Sequence, residues 1–142
     1  MSKHFEVVIF TASLSKYAEP LVKRMDKHNS WCSHMLFREH CTYLDSEEAY
    51  VKDLSQVGRP LRDVIIIDNS PTSYCFHPEN ALASRSWYED PEDRELFEFM
   101  PLLRQLAKVD DVRPLLSKIA SDACLRDGRD VIVQVPFAMK IV

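Results

Sequence analysis

Apolar residues along this chain switch between two patterns, and the switching predicts strands and helices in turn. Residues 5–10 (FEVVIF) form a short run rich in β-branched side chains, bounded by a polar turn, and predict a buried strand. Leu14, Tyr17, Ala18, Leu21, Val22 and Met25 then follow the i, i+3, i+4, i+7 spacing of a helix buried on one face. Pro20 interrupts that stretch, so Glu19 and Pro20 also fit a cap and first helical residue after an irregular turn. Residues 35–43 and 49–54 flank the polar segment 44–48 (LDSEE) and predict a β-hairpin with an exposed tip. Residues 62–67 (RDVIII) are the clearest strand. A continuous β-branched run is buried on both faces, as in a parallel sheet, and Asp68-Asn69-Ser70-Pro71 ends it.

Residues 81–87 fit a further short strand. Asp90-Pro91-Glu92-Asp93 predicts a helix start, with a capping carboxylate, a proline at the first helical position and acids that complement the dipole. Leu96, Phe99, Met100, Leu103 and Leu106 supply its apolar face, a last helix spans residues 111–121, and the tail 130–142 is again strand-like. Strands alternating with helices imply a βα architecture with parallel pairing. The length of 142 residues suits one domain, and the pattern holds no repeat or linker.

Composition narrows the function classes. A hydrophobic content of 46% fills one core, and 28% charged residues suit a folded, soluble chain. The net charge of -4 offers nothing to a nucleic-acid backbone. The longer apolar runs, 64–67 and 131–135, are far too short to span a bilayer. The N-terminus lacks a small-residue cleavage site and is not read as a signal peptide. Only two glycines, Gly58 and Gly128, occur, which excludes a Walker loop and a dinucleotide fingerprint. Cys32, Cys41, Cys75 and Cys124 form no C-x-x-C pair, so reduced thiols and a nuclear or cytoplasmic location are expected.

Ligands of open parallel sheets sit beyond the carboxyl ends of the strands. Thr11-Ala12-Ser13 follows the first strand, Asp68-Asn69 follows the strand at 62–67, and Lys52 stands as a lone cation in an apolar setting between them. A hydroxyl, an ammonium and a carboxylate at one sheet edge suit phosphoryl transfer: the first two can hold phosphate oxygens and the last can hold Mg²⁺. Each alone has a plainer reading. Thr11 fits a turn, Lys52 a snorkelling side chain, and Asp68-Asn69-Ser70-Pro71 an ordinary turn.

Longer words carry more. Phe10-Thr11-Ala12-Ser13-Leu14-Ser15-Lys16-Tyr17-Ala18-Glu19-Pro20 resembles the second motif of the FCP/SCP-type phosphatases, small C-terminal-domain phosphatases (NLI-interacting-factor-like) within the haloacid-dehalogenase superfamily. Leu36-Phe37-Arg38-Glu39 with Tyr50-Val51-Lys52-Asp53-Leu54 resembles the third-motif region. Ile67-Asp68-Asn69-Ser70-Pro71 and Tyr74-Cys75-Phe76-His77-Pro78-Glu79-Asn80-Ala81 resemble the fourth. The resemblance covers residues 5–116. It implies an α/β, haloacid-dehalogenase-like (Rossmann-like) parallel sheet flanked by helices, with a β-hairpin insertion. It implies a Mg²⁺-dependent phosphoserine/phosphothreonine phosphatase that works through an aspartyl-phosphate, with a D-x-D-x-T/V motif supplying the nucleophile and the general acid/base. Thr11 would hydrogen-bond a phosphate oxygen, Lys52 would neutralise charge, Asp68 would bind Mg²⁺ with Asn69 beside it, and Arg38, Leu14 and Tyr17 would meet the substrate peptide. Leu14 and Tyr17 also fit a plain core stripe, and Arg38 a surface or hairpin salt bridge. The implied partner is a phosphoprotein, with the RNA polymerase II C-terminal repeat as one such substrate; no direct nucleic-acid or membrane partner is expected.

The sequence departs from the family in one respect: its residues contain no D-x-D. In the family that motif ends a central strand preceding the strand at 5–10. An N-terminally truncated phosphatase-type domain over residues 1–121 is therefore expected, inactive by the family mechanism and with an open gap in its sheet. Residues 131–135 (VIVQV), in the tail 122–142, are one candidate to pair with that edge, within the chain or across a homodimer; an exposed terminus is the other reading. The alternative function is a pseudophosphatase, a phosphopeptide-binding or scaffold module, as in a mitochondrial import component of the family.

Overall fold

The structure, a computed structural model, describes residues 1–126 and 138–141. A five-stranded sheet of order β2-β1-β7-β5-β6 forms its centre. The strands are β1 (Val7–Phe10), β2 (His34–Leu36), β5 (Ile65–Asp68), β6 (Ala81–Ala83) and β7 (Ala138–Ile141), and a separate two-stranded hairpin joins β3 (Thr42–Leu44) to β4 (Ala49–Val51). Helices α1 (Ser15–Met25), α2 (Glu95–Glu98), α3 (Met100–Leu106) and α4 (Arg113–Arg126) complete the mixed α/β architecture. Among the described residues no helix is long and apolar enough to cross a membrane.

The β-branched runs behave as their chemistry demands. All four residues of β1 and all four of β5 are buried. Alternation divides the second strand between two cores. Ile65 and Ile67 meet Leu82, Leu103, Leu106, Val112 and Leu116 under α3 and α4. Val64 and Ile66 turn the other way, against Leu54, Tyr74 and Ala81. Both faces are covered, which is why the run carries no polar alternation.

β1 pairs in parallel with β2, and β5 in parallel with β6. Between these pairs lies β7, antiparallel to both, with Phe10 opposite Ala138 and Ile67 opposite Met139. The inner edges of β1 and β5, expected to be open, are paired here within the chain. Residues 131–135, the segment singled out from sequence for such pairing, lie outside the described residues.

Local capping corrects several boundaries. Residues 35–43 are not one hairpin arm: Met35 and Leu36 belong to β2 of the main sheet, and a 3-10 turn at Arg38–His40 separates them from β3. That turn closes because the Phe37 N–H donates to His40 Nδ1 at 3.0 Å, a link that hydrophobic patterning does not display. Asp90 caps a turn rather than a helix: its carboxylate accepts from the Glu92 N–H at 2.9 Å, its carbonyl accepts from Trp87 Nε1 at 2.7 Å, and helix begins only at Glu95. The strand expected over 81–87 stops at Ala83. Helix α1 continues through Pro20, which lies on its exposed face and forgoes one backbone bond.

The turn after α1 sets the position of β2. Asp26 is buried, and its carboxylate accepts from the backbone N–H groups of Ser30 (2.7 Å), Trp31 (3.1 Å) and Cys32 (2.9 Å). Burial pushes this carboxyl up, but those bonds outweigh it and hold Asp26 below the usual carboxylate range.

Candidate functional site

The residues with chemistry gather where β1 and β5 end. Thr11 directly follows β1 and is fully buried. Its N–H donates to the Leu36 carbonyl at 2.9 Å, extending the β1–β2 ladder by one rung, and its hydroxyl oxygen accepts from the Ser13 N–H at 3.1 Å. A short hydroxyl side chain favours such a bond to its own backbone two residues on. The hydroxyl is thereby fixed in orientation at the sheet edge.

Asp68 is the last residue of β5. Its Oδ2 lies 2.6 Å from Lys52 Nζ, and its Oδ1 accepts from the Ser70 N–H at 2.9 Å. Both side chains of this ion pair are sealed from water, at 5% and 2% exposure. Lys52 leaves the end of β4, and its backbone N–H donates to the Ser73 carbonyl at 2.7 Å. The hairpin is thus anchored to the turn after β5, and that anchor delivers the ammonium to the carboxylate. A charged pair out of water persists only where its geometry is good, and here Asp68 gains a further bond from the Ser70 N–H.

Arg38 lies beside the loop that follows β1. Its Nε donates to the Ala12 carbonyl at 2.6 Å, and its guanidinium covers the Tyr50 ring at 4.9 Å. It therefore braces the loop after β1 against the hairpin and makes no hairpin salt bridge among the contacts described. Tyr50 in turn meets Tyr43 across the hairpin at 5.1 Å. Leu14 caps α1 and, like Tyr17, is exposed, so neither belongs to a core stripe; Lys16 Nζ lies 4.8 Å from the Tyr17 ring centre. Asn69 adjoins Asp68, but its side-chain nitrogen donates to Ser86 Oγ at 3.0 Å.

Two site neighbours were not legible from sequence. Cys41 Sγ approaches the Thr11 carbonyl at 4.0 Å. Burial pushes the Cys41 thiol up, opposed by Lys52 and Arg38 and reinforced by Asp68, so this sulfur lies within electrostatic reach of all three. Tyr74 has its hydroxyl pushed up by burial and then by the Asp68 carboxylate. Next to Lys52, Asp53 accepts from Ser55 and faces His77 Nε2 at 3.0 Å; burial raises its carboxyl, yet these bonds leave it below the usual range.

These residues fall short of a self-contained Mg²⁺ site. Mg²⁺ takes six oxygen ligands, usually one or two carboxylates with phosphate and water. Asp68 supplies one carboxylate with both oxygens already engaged, and no group of three His, Cys, Asp or Glu side chains converges among the described residues.

The family model "NLI interacting factor-like phosphatase" matches residues 1–113. The "Probable C-terminal domain small phosphatase" of Dictyostelium discoideum is 49% identical over 118 residues, covering 83% of this chain and 38% of that protein. The human "Carboxy-terminal domain RNA polymerase II polypeptide A small phosphatase 1" is 48% identical over 116 residues, 82% of this chain and 43% of its own. "Phosphatase Herzog" of Drosophila melanogaster is 47% identical over 116 residues, 82% and 32% respectively. The chain spans well under half the length of these relatives. With most of its length matched, the chain belongs to the NLI interacting factor-like phosphatase family.

Proposed function

We propose that these residues form the phosphate-holding part of a phosphoserine/phosphothreonine phosphatase domain with a haloacid-dehalogenase-like sheet, and that as an isolated chain they bind phosphoprotein without hydrolysing it. One observation carries this reading: Thr11 and the buried Lys52–Asp68 pair stand at the same carboxyl edge of the sheet, while the sequence has no D-x-D to supply a nucleophile there. The middle of that edge is taken by the start of β7, where Ala138 lies opposite Phe10. Thr11 would donate its hydroxyl hydrogen to a phosphate oxygen, Lys52 would offset its charge, and Arg38 with Tyr50 would wall the entrance. A substrate of the kind named in the human relative, the carboxy-terminal domain of RNA polymerase II polypeptide A, fits a phosphoprotein site of this class.

Mg²⁺ belongs to this reading only jointly with phosphate, since Asp68 brings a single carboxylate. The deciding experiment titrates the chain with a fluorescent phosphoserine peptide and its unphosphorylated counterpart, and separately assays aryl phosphate hydrolysis with Mg²⁺. Binding of the phosphopeptide alone, weakened by Thr11→Val and by Lys52→Ala in protein shown to be folded, is the expected result. Turnover that survives rigorous purification, or equal binding of both peptides, overturns the reading.

A further inference from the structure

The connection from β6 to α2 is a closed loop with aromatic side chains on its outside. Arg85 joins its two ends: the Arg85 N–H and Nε donate to the two oxygens of the Glu95 carboxylate at 2.8 and 3.0 Å. Compact surface loops whose ends meet are frequently functional. Within the loop, Trp87 Nε1 donates to the Asp90 carbonyl, and the Asp90 and Asp93 carboxylates accept from the Glu92 and Glu95 N–H groups. These bonds set the loop's shape. Trp87, Tyr88, Leu96 and Phe97 nevertheless stay between 47% and 64% exposed, and neither core absorbs them. Large rings on a loop already fixed by its own bonds can bind with little further loss of freedom.

Charge defines what this surface would hold. The chain has 18 Lys and Arg against 22 Asp and Glu. Residues 85–98 contain two of the bases and six of the acids, so the remainder is balanced at sixteen of each. The whole net charge of -4 therefore sits on this one segment. Glu95 is taken by Arg85, but Glu89, Glu92 and Glu98 are exposed, and their carboxylates form no hydrogen bond or ion pair among the described residues. One ring of the loop already faces a cation: the Arg94 guanidinium lies 5.4 Å from the Phe97 centre. The base of the loop adjoins the candidate site, because the Ser84 N–H donates to the Asp68 carbonyl at 3.0 Å and the Asn69 side chain donates to Ser86 Oγ at 3.0 Å.

We propose that this loop is a docking surface for a Lys/Arg-rich segment of the phosphoprotein, lying to one side of the phosphorylated residue. The proposal rests on the phosphate-binding reading for the location of the phosphoserine, but not for the contact itself. Cationic side chains of the segment face Glu89, Glu92 and Glu98, and one guanidinium stacks on the Trp87 ring. The substrate class narrows accordingly to phosphoproteins with a basic flank.

Fluorescence polarisation with three peptides tests this: a short phosphoserine peptide, the same peptide extended by a Lys/Arg-rich segment on either side, and the extended peptide without phosphate. The extension is expected to tighten binding about tenfold at low salt, the combined effect of one ring–cation contact and a few exposed ion pairs. At ~1 M salt, where screening acts within about 3 Å, most of that gain should vanish. The triple variant Glu89→Gln, Glu92→Gln, Glu98→Gln alters only exposed carboxylates. It should return the extended peptide to the affinity of the short one and leave the short peptide unchanged. Trp87→Leu, in protein with an unchanged far-UV spectrum, should remove about threefold of the gain. An extension without effect, or a gain that survives either variant in full, overturns the proposal. So does light scattering that shows a dimer dissolved by the triple variant, which would make the loop a contact with a basic face of a second copy. If the short phosphopeptide fails to bind while the unphosphorylated extended peptide binds and responds to both variants, the phosphate reading falls and the docking surface stands.

Discussion

Removing Lys52 should strand a charge. The ammonium lies 2.6 Å from Asp68 Oδ2, and both side chains are nearly sealed. In Lys52→Met the carboxylate keeps only the Ser70 N–H and stays out of water. Breaking one half of a buried pair costs about 3–5 kcal/mol, a large share of the 5–15 kcal/mol that holds a typical domain together. Asp68→Leu should cost a similar amount, because it strands the ammonium. The two together should cost far less than their sum, since no uncompensated charge remains. Urea unfolding followed by fluorescence of Trp31 and Trp87 would give all three values, provided the slopes match. The reasoning fails if either single variant loses less than about 1 kcal/mol, the behaviour of a solvated pair. The same double variant separates stability from function: it should be folded and yet lose its preference for phosphorylated peptide.

Three further outcomes are expected. Asp111 caps α4, accepting from the Arg113 N–H at 3.0 Å and from its guanidinium at 2.9 and 2.7 Å, and these bonds hold its carboxyl at about 2 instead of 3.8. A carboxylate depressed on folding stabilises above its unfolded value and loses that contribution as pH falls through its folded one. Unfolding midpoints of Asp111→Asn should thus approach those of the wild type between pH 3.8 and about 2, where the wild type loses this contribution; an unchanged gap would exclude the cap. Ile66→Ala should cost about 2–5 kcal/mol in chemical denaturation, because the side chain is fully buried among Leu54, Tyr74 and Ala81. Asn80 is fully buried and its amide nitrogen donates to the Leu61 and Val64 carbonyls at 2.6 Å each, so Asn80→Asp should face a carboxylate toward two carbonyls and lower the thermal midpoint far more than Asn80→Ala. Equal midpoints for the two variants would argue that water reaches the site.

What could be seen in the sequence depended on how local each cause is. The strand at Ile65–Asp68 was legible because burial on both faces leaves no choice but continuous β-branched residues. The helix after Thr11 was legible as a helix, but its row at Leu14, Tyr17, Leu21 and Met25 was not legible as surface, since periodicity alone does not say which face is covered. The false helix start at Asp90 and Pro91 shows the same limit. The capping chemistry is real, but the bonds from Glu92 and Trp87 spend it on a turn. Lys52 and Asp68 stand sixteen positions apart, and their contact depends on the Lys52 N–H reaching the Ser73 carbonyl. Tertiary bonds of that sort leave no periodic trace. Strand ends and family motifs both pointed to the two residues without showing their contact, and the strand-like tail was legible while the residues of it that pair between β1 and β5, Ala138–Ile141, were not.

That central strand has a consequence for how the protein is made. Phe10 meets Ala138 across nearly the whole of the sequence, so the last described strand of the chain closes the pairing of the first. Contacts this distant are slow to form, because a long loop must close before any pairing offsets its entropy. During synthesis the nascent β1 and the Ile65–Ile67 run of β5, apolar on each face, emerge with their inner edges unpaired until translation has passed Ile141. The ribosome-bound intermediate is therefore a natural client for chaperones that bind extended hydrophobic strands. A stop codon placed between Leu116 and Ala138 should leave both inner edges unpaired and drive the product toward aggregation, with Thr11, Lys52 and Asp68 all retained.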